Sequence, residues 1–284
     1  MIEFCDVSFC YKGDDRASLQ HVNLRIKEGE VVVLCGESGC GKSTLIRLIN
    51  GLIPFYYGGE LKGEVRVSGH QTKEGDIYDL GSMVSTVFQN PKSQFFCVEV
   101  KSELAFGAEN LRIEKDEILR RIAAASQELN FTHLLDKTMF ELSDGEKQKI
   151  ACASVSVMDN PIVVLDEPSS NLDMDATADL KKMIGYWKKQ GKTVVIAEHR
   201  LEYLKELADR FIYMKNGAIL FSFDARRMQT LPDEKLAKMG LRSFSYEHLK
   251  IENTKEAEAS LGIRDFSFRY KNAKKKSLSI DALD

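Results

Sequence analysis

Gly36-Glu37-Ser38-Gly39-Cys40-Gly41-Lys42-Ser43-Thr44 decides how the rest of this chain is read. The nine residues satisfy G-x-x-x-x-G-K-[ST] without a mismatch, and their flanks supply the context the pattern requires. Val31-Val32-Val33-Leu34-Cys35 before them is a β-branched run that predicts a buried strand. Leu45-Ile46-Arg47-Leu48-Ile49 after them is apolar at helical spacing and is stopped by Gly51 and Pro54. Strand, glycine loop and helix in that order make a phosphate cradle. Gly36, Gly39 and Gly41 admit backbone conformations that a Cβ opposes, so successive N–H groups turn inward around an anion. The helix N-terminus adds positive potential at the same point. In such a cradle Lys42 neutralises the β- and γ-phosphates and the Ser43 hydroxyl ligates Mg²⁺, with Glu37, Ser38, Cys40 and Thr44 completing the loop. One such charge pair at about 4 Å is worth roughly 4 kcal/mol at an effective dielectric of 20.

The whole chain narrows the possibilities. Its 284 residues are about two domains of material at ~150 residues each. A hydrophobic share of 43 % and a charged share of 29 % are ordinary for a globular protein with a real core. A net charge of −3 gives no global reason to bind nucleic acid or an anionic membrane. No apolar run approaches the ~18–20 residues that span a bilayer, and the N-terminus lacks an apolar signal region, so the chain forms no pore by itself. Cys5, Cys10, Cys35, Cys40, Cys97 and Cys152 show no metal-ligand spacing and read as reduced residues of a cytosolic protein. The helix N-terminus beside Cys40 would favour a thiolate there.

Outward from the loop, Ile2 to Tyr11 and Leu19 to Ile26 alternate as half-buried strands. Tyr11 is either an ordinary strand aromatic or a face for a nucleotide base. Residues 58–80, rich in glycine between short β-prone runs, predict an antiparallel hairpin region. Met83 to Phe88 predicts a strand that ends at Gln89-Asn90-Pro91; the carboxyl end of such a strand is where α/β sheets bind ligands, although the local sequence alone favours an ordinary turn glutamine. From 92 to 158 the pattern is helical, with Ile118, Ile122, Ala125 and Leu129 on one face. Leu142-Ser143-Asp144-Gly145-Glu146-Lys147-Gln148 opens a helix, and Ser143 with Glu146 reads locally as a capping box. Ile162-Val163-Val164-Leu165-Asp166-Glu167 is an apolar strand ending in two carboxylates: Asp166 suits Mg²⁺, and Glu167 suits a base for water. Ser169 to Asp173 turns into another helix, and Val194 to Ala197 is a strand that delivers Glu198-His199-Arg200. A histidine there is either an ordinary residue past a core strand, the readier reading from the residue alone, or one that reaches a γ-phosphate. Phe211 to Phe221 predicts a closing hairpin around Lys215-Asn216-Gly217, after which the pattern weakens and polar helical signals run from 232 to 260.

Tyr11, the phosphate loop, Gln89, Leu142–Gln148, Val163–Glu167, Asn171–Asp173 and His199, taken in order over residues 1–222, resemble an ABC-type ATP-binding subunit. The resemblance implies an α/β fold of the P-loop NTPase type, with an antiparallel β subdomain and a helical subdomain at about 89–158. It implies that ATP stacks on Tyr11 and that Gln89 serves Mg²⁺, water and coupling. It implies that Ser143 and Gly145 grip ATP held by a partner domain, and that His199 fixes the γ-phosphate and its attacking water. Catalysis then rests on Glu167, His199 and Gln89, and Mg²⁺ on Ser43, Gln89 and Asp166. Asp144 departs from the family's usual glycine, placing a carboxylate near phosphate. More narrowly, Phe88-Gln89-Asn90-Pro91-Lys92-Ser93-Gln94-Phe95 and Glu103-Leu104-Ala105-Phe106-Gly107 resemble the energy-coupling-factor group of cobalt and vitamin importers. That likeness implies a cytoplasmic ATPase on the inner face of the cell membrane, with a transmembrane component and a substrate-binding membrane component as partners.

The tail repeats the beginning. Asp265-Phe266-Ser267-Phe268-Arg269-Tyr270-Lys271 follows Asp6-Val7-Ser8-Phe9-Cys10-Tyr11-Lys12 at an offset of 259 (270 − 11), which sets Tyr270 on Tyr11. Lys274-Lys275-Lys276 then falls in a hairpin loop, a solvated turn rather than a nucleic-acid patch. Residues 223–260 become a connector, and 261–284 the start of a second ABC domain of a tandem protein. The pairing expected for ATP is with that domain or with a second copy. Two other readings stay open: a soluble tandem ATPase acting on the ribosome or nucleic acid, and a nucleotide-dependent regulatory module.

Overall fold

The computed structural model describes residues 1–244, 263–268 and 278–283. They belong to two compact units, Met1–Phe244 and Ser245–Asp284.

In the first unit, β1 (Ile2–Tyr11) and β2 (Leu19–Ile26) pair antiparallel and bury Ile2, Phe4, Val7 and Phe9 together with Leu19, Val22, Leu24 and Ile26. β3 (Val31–Cys35), buried at every position, feeds the glycine loop, and α1 (Lys42–Ile49) leaves it. After the short α2 (Leu52–Phe55), β4 (Gly59–Val67) and β5 (His70–Gln71) complete a four-stranded sheet in the order β2-β1-β4-β5. The predicted hairpin region therefore forms, but its last part is α3 (Ile77–Met83), capped by Asp76, whose carboxylate accepts from the Tyr78 N–H at 3.0 Å.

β6 (Val84–Val87) then enters a second sheet. Three helices follow, α4 (Val100–Asn110), α5 (Lys115–Glu128) and α6 (Asp144–Met158), and α5 buries Ile118, Ile122 and Ala125 along the predicted face. β7 (Ile162–Asp166), α7 (Met174–Lys189), β8 (Thr193–Ala197), β9 (Arg210–Lys215) and β10 (Ala218–Asp224) complete the sheet in the order β10-β9-β3-β8-β7-β6. All its neighbours run parallel except β10, which returns antiparallel on β9.

The uninterrupted apolar runs of β3, β7 and β8 follow from burial on both faces. Side chains alternate across a strand. Val32 and Leu34 pack with Leu45, Leu48 and the first sheet, while Val31, Val33 and Cys35 pack in the cluster holding Ile150, Ile184 and Trp187. Trp187 is fully buried, and its indole N–H donates to Ser156 Oγ of α6 at 2.8 Å.

The first unit extends beyond the boundary expected at 222. α8 (Ala225–Gln229) and α9 (Asp233–Lys238) carry Met228 and Leu236 into the core, followed by Met239, Leu241 and Phe244. Phe244 meets the Phe211 ring edge-on at 5.9 Å. In the second unit β11 (Ile263–Phe268) pairs antiparallel with β12 (Leu278–Leu283). Its pairs Ile263↔Leu283 and Phe268↔Leu278 each lie 259 residues after Phe4↔Leu24 and Phe9↔Leu19. Tyr270, Lys274–Lys276 and residues 245–260 lie outside the described residues.

Leu236 tests where the first unit ends. Leu236→Ala should lower the unfolding free energy by about 2–5 kcal/mol in urea titration. A change within about 0.5 kcal/mol, as at a surface position, would return the segment to a mere connector.

Candidate functional site

The carboxyl ends of β3, β8, β7 and β6 lie side by side in the second sheet, and each delivers one part of the site. This convergence is why residues far apart in sequence meet.

From β3 comes the phosphate loop. Gly36, Gly39 and Gly41 have φ of +146°, +75° and +104°, which L side chains rarely adopt. Cys40 spends its N–H on the Glu37 carbonyl at 3.3 Å, whereas nothing among the described residues accepts from the N–H groups of Ser38, Gly39 and Gly41. Unclaimed N–H groups at a helix start form an anion site. Lys42 is buried across this loop, its ammonium donating to the carbonyls of Gly36 at 3.0 Å and Glu37 at 3.1 Å. Cys40 is buried too, and burial pushes its thiol up despite the nearby Lys42 charge, so the thiolate expected at that helix start is disfavoured. Burial pushes the Cys35 thiol up to about 12.

β7 supplies the carboxylates. Asp166 Oδ1 accepts from the Ser43 hydroxyl at 2.8 Å, joining β7 to the first turn of α1. Burial raises the Asp166 carboxyl above its ordinary range and the neighbouring Glu167 charge adds to the rise, against the Ser43 hydrogen bond and the cations Arg47 and Lys42. A half-buried carboxylate beside a hydroxyl is a hard oxygen pair that fits Mg²⁺, which takes few protein ligands and fills its shell with water and phosphate. Ser43 and Asp166 are therefore the residues that would hold it. Gln89 contacts Glu167 instead of this pair.

Glu167 sits at φ +47°, a strained position for a non-glycine residue. Its N–H bonds the Ala197 carbonyl at 2.9 Å, which anchors it to the end of β8. Its carboxylate accepts from Gln89 Nε2 at 2.9 Å and lies 3.0 Å from His199 Nε2. An ionised carboxylate only accepts, so that imidazole nitrogen carries the proton. Gln89, Glu167 and His199 thus meet in one cluster, as their positions at three strand ends predict.

Tyr11 is more tightly held than an ordinary strand aromatic. Arg47 Nη1 donates to its hydroxyl at 2.8 Å, and that hydroxyl lies 3.2 Å from Thr44 Oγ1 in the phosphate loop. Phe9 and Tyr57 meet its ring edge-on, and the Arg47 guanidinium lies 4.4 Å from the centre of the Tyr57 ring. The sequence gives Arg47 no role of its own, since it stands there only within the helical run 45–49.

Ser143 and Gly145 are not brought to the loop of the same chain. The Ser143 hydroxyl accepts from the Glu146 N–H at 3.2 Å and its own N–H donates to Glu146 Oε2 at 2.8 Å, so the local capping box forms. A Cβ at Gly145 would lie 2.9 Å from that of Ala176, so glycine there serves close packing of α6 on α7.

Two further residues organise the site. Glu198, buried, accepts from the N–H groups of His199 at 2.7 Å and Arg200 at 3.1 Å and from the Tyr203 hydroxyl at 2.9 Å. Burial, then the Glu198 charge, keeps the Tyr203 phenol well above its usual range. Arg200 Nη1 donates to the carbonyls of Ser169 at 3.3 Å and Leu172 at 3.0 Å, fixing the turn after β7. A carboxylate immediately before His199 was the available signal for Glu198.

Comparison with known proteins bears on this geometry. The ABC transporter family model matches residues 19–170. An ABC transporter ATP-binding protein of Treponema denticola is 44 % identical over 252 residues, 89 % of this chain and 52 % of the relative. One from Pyrococcus horikoshii is 42 % identical over 221 residues, 78 % of each chain. The chain spans about half the length of several of the curated relatives it matches. Among solved structures, cbiO1 from Clostridium perfringens, part of the ABC transporter complex cbiONQ, superposes with a TM-score of 0.72 at 29 % identity, covering 85 % of this chain and 94 % of that one. The ATP-binding cassette MJ0796, a dimer bound to ADP and Pi in a post-hydrolysis state, gives 0.69 at 25 % identity, covering 80 % of this chain and 99 % of that one. Loop, strand-end carboxylates and helical insertion occur together on this fold, and the chain belongs to the family of ABC transporter ATP-binding proteins.

Proposed function

We propose that the chain binds and hydrolyses ATP with Mg²⁺ and that this powers a membrane importer. The observation that carries the reading is the Gln89–Glu167–His199 cluster next to the Ser43–Asp166 pair at the mouth of the phosphate loop.

The loop N–H groups and Lys42 bind the β- and γ-phosphates, and Tyr11, held by Arg47 and Thr44, offers its ring to the adenine. Mg²⁺, bound at Ser43 and Asp166, would offset charge developing on the phosphates. Glu167 orients a water in line with the γ-phosphorus and accepts its proton. The water oxygen bonds to phosphorus as the bond to the β–γ bridging oxygen breaks, and ADP leaves with that electron pair. Gln89 and His199 keep the carboxylate aimed, and Glu198 with Arg200 keeps the His199 segment in place.

Ser143 and Gly145 serve a second domain's ATP, so the working unit has two nucleotide domains, in tandem or as a homodimer. Closure of the pair is the population shift a membrane partner reads. The pairs at both ends of β11 on β12 match those of β1 on β2, although the shift at Val7 is not repeated at Phe266, and this match supports a tandem protein. The stretches at 88–95 and 103–107 and the likeness to cbiO1 support the energy-coupling-factor type, importing a metal ion or a vitamin through a transmembrane component and a substrate-binding component. None of the described helices is long and apolar enough to cross a membrane, and the place we assign the chain is the inner face.

Calorimetric titration with ATP separates binding from chemistry. Lys42→Ala should abolish measurable binding, whereas Glu167→Gln should bind ATP like the parent and lose turnover by about 10²–10⁴-fold. Retained turnover in Glu167→Gln would remove it as the base.

Glu198→Ala strands three donors. It should cost about 2–3 kcal/mol of stability in chemical denaturation and reduce turnover with little change in ATP affinity. Unaltered turnover would show that His199 needs no such support.

A further inference from the structure

Asp144 is the first residue of α6, between Ser143 and Gly145. Its Oδ1 lies 2.9 Å from Lys92 Nζ and 3.9 Å from Lys147 Nζ. The side chains of Asp144 and Lys92 are 57 % and 56 % exposed, so this pair lies open on the surface. The Lys92 hydrogen bond holds the Asp144 carboxyl below its usual range. Lys92 belongs to the turn Pro91–Ser93, shaped by Asn90, whose side chain accepts from the Lys92 N–H at 3.1 Å. Gln89, three residues earlier, reaches Glu167.

We propose that Lys92 is a positioning residue: by pairing with Asp144 it keeps the start of α6 receptive to the phosphates of ATP held on a second domain. The proposal rests on the two-domain reading above. A helix start attracts phosphate through its N–H groups and positive potential. A carboxylate between the two gripping residues opposes that attraction by like charge, and a cation at ion-pair distance cancels most of the opposition. Lys147 is a turn farther along α6 and more distant, so the task falls to Lys92. The same contact ties the start of α6 to the turn that carries Gln89, which links the gripping helix to the catalytic carboxylate. An exposed pair of this kind contributes little to folding. Its effect belongs to nucleotide-dependent association.

The test is the ATP concentration that half-saturates association of the chain, followed by sedimentation velocity in a Glu167→Gln background that stops turnover. Lys92→Gln should raise that concentration about three- to tenfold, while Lys92→Arg should leave it unchanged. Asp144→Gly should make Lys92 dispensable, so that adding Lys92→Gln shifts the value less than about twofold. Thermal unfolding of each variant should stay at the parent value. An equal loss from Lys92→Gln with Asp144 or Gly at 144, or no loss in either, would overturn the proposal. Absence of ATP-dependent association in the chain with both residues intact would overturn the homodimer form of the two-domain reading and this proposal together.

Discussion

The phosphate loop has no room for side chains where it touches the rest of the protein, and most of the fold follows from that close fit. A Cβ at Gly36 would lie 2.2 Å from the Met214 carbonyl oxygen, and one at Gly41 would lie 2.6 Å from that of Ser18. The loop is pressed between the end of β9 and the start of β2. Gly217, in the turn between β9 and β10, completes the clamp: its N–H bonds the Cys40 carbonyl at 3.1 Å, and its own carbonyl accepts from the Gln20 N–H at 2.9 Å. Backbone against backbone is stiffer than any side-chain contact, so the loop keeps its inward N–H groups in place. Both sheets are needed for this, which gives a reason for joining an antiparallel sheet to a parallel one at this point.

The second requirement is that chemistry from four strands arrive at one place. A parallel sheet meets it because all its carboxyl ends lie on one side. The Ser43–Asp166 bond joins β7 to α1, and the Glu167 N–H joins β7 to the end of β8. The left-handed backbone at Glu167 turns the carboxylate toward Gln89 and His199. Strain of about 1–3 kcal/mol at such a residue is tolerated where neighbours on both sides fix it, and here they do.

Much of this was legible in the sequence, for identifiable reasons. The loop and the Ile162–Glu167 strand have residue types that few other structures explain, so both their elements and their chemistry could be read. Gln89 and His199 were legible only through the family resemblance; as polar residues just past apolar strands, each read locally as an ordinary turn residue. Arg47 and Arg200 were not legible, because each acts through a partner distant in sequence, Arg47 through Tyr11 and Arg200 through Ser169 and Leu172. Glu198 was not, because its partners are near in sequence and only the folded turn aims the His199 and Arg200 N–H groups and the Tyr203 hydroxyl at it. The end of the first unit was missed because Met228, Leu236, Met239 and Phe244 are spread among polar residues, and short helices carry weak periodicity. Ser143 shows the opposite case, since the same hydroxyl satisfies a capping box and fits a gripping role toward another domain.

The central claim is that the loop binds ATP here but completes its chemistry only against the α6 start of a second domain. Specific ATP turnover of this chain at saturating ATP and Mg²⁺, measured over a wide range of protein concentration, tests it most directly. The account predicts turnover per chain that is near zero when dilute, rises with concentration and then saturates as pairs form. A turnover per chain independent of concentration, down to dilutions where only monomer sediments, would contradict it.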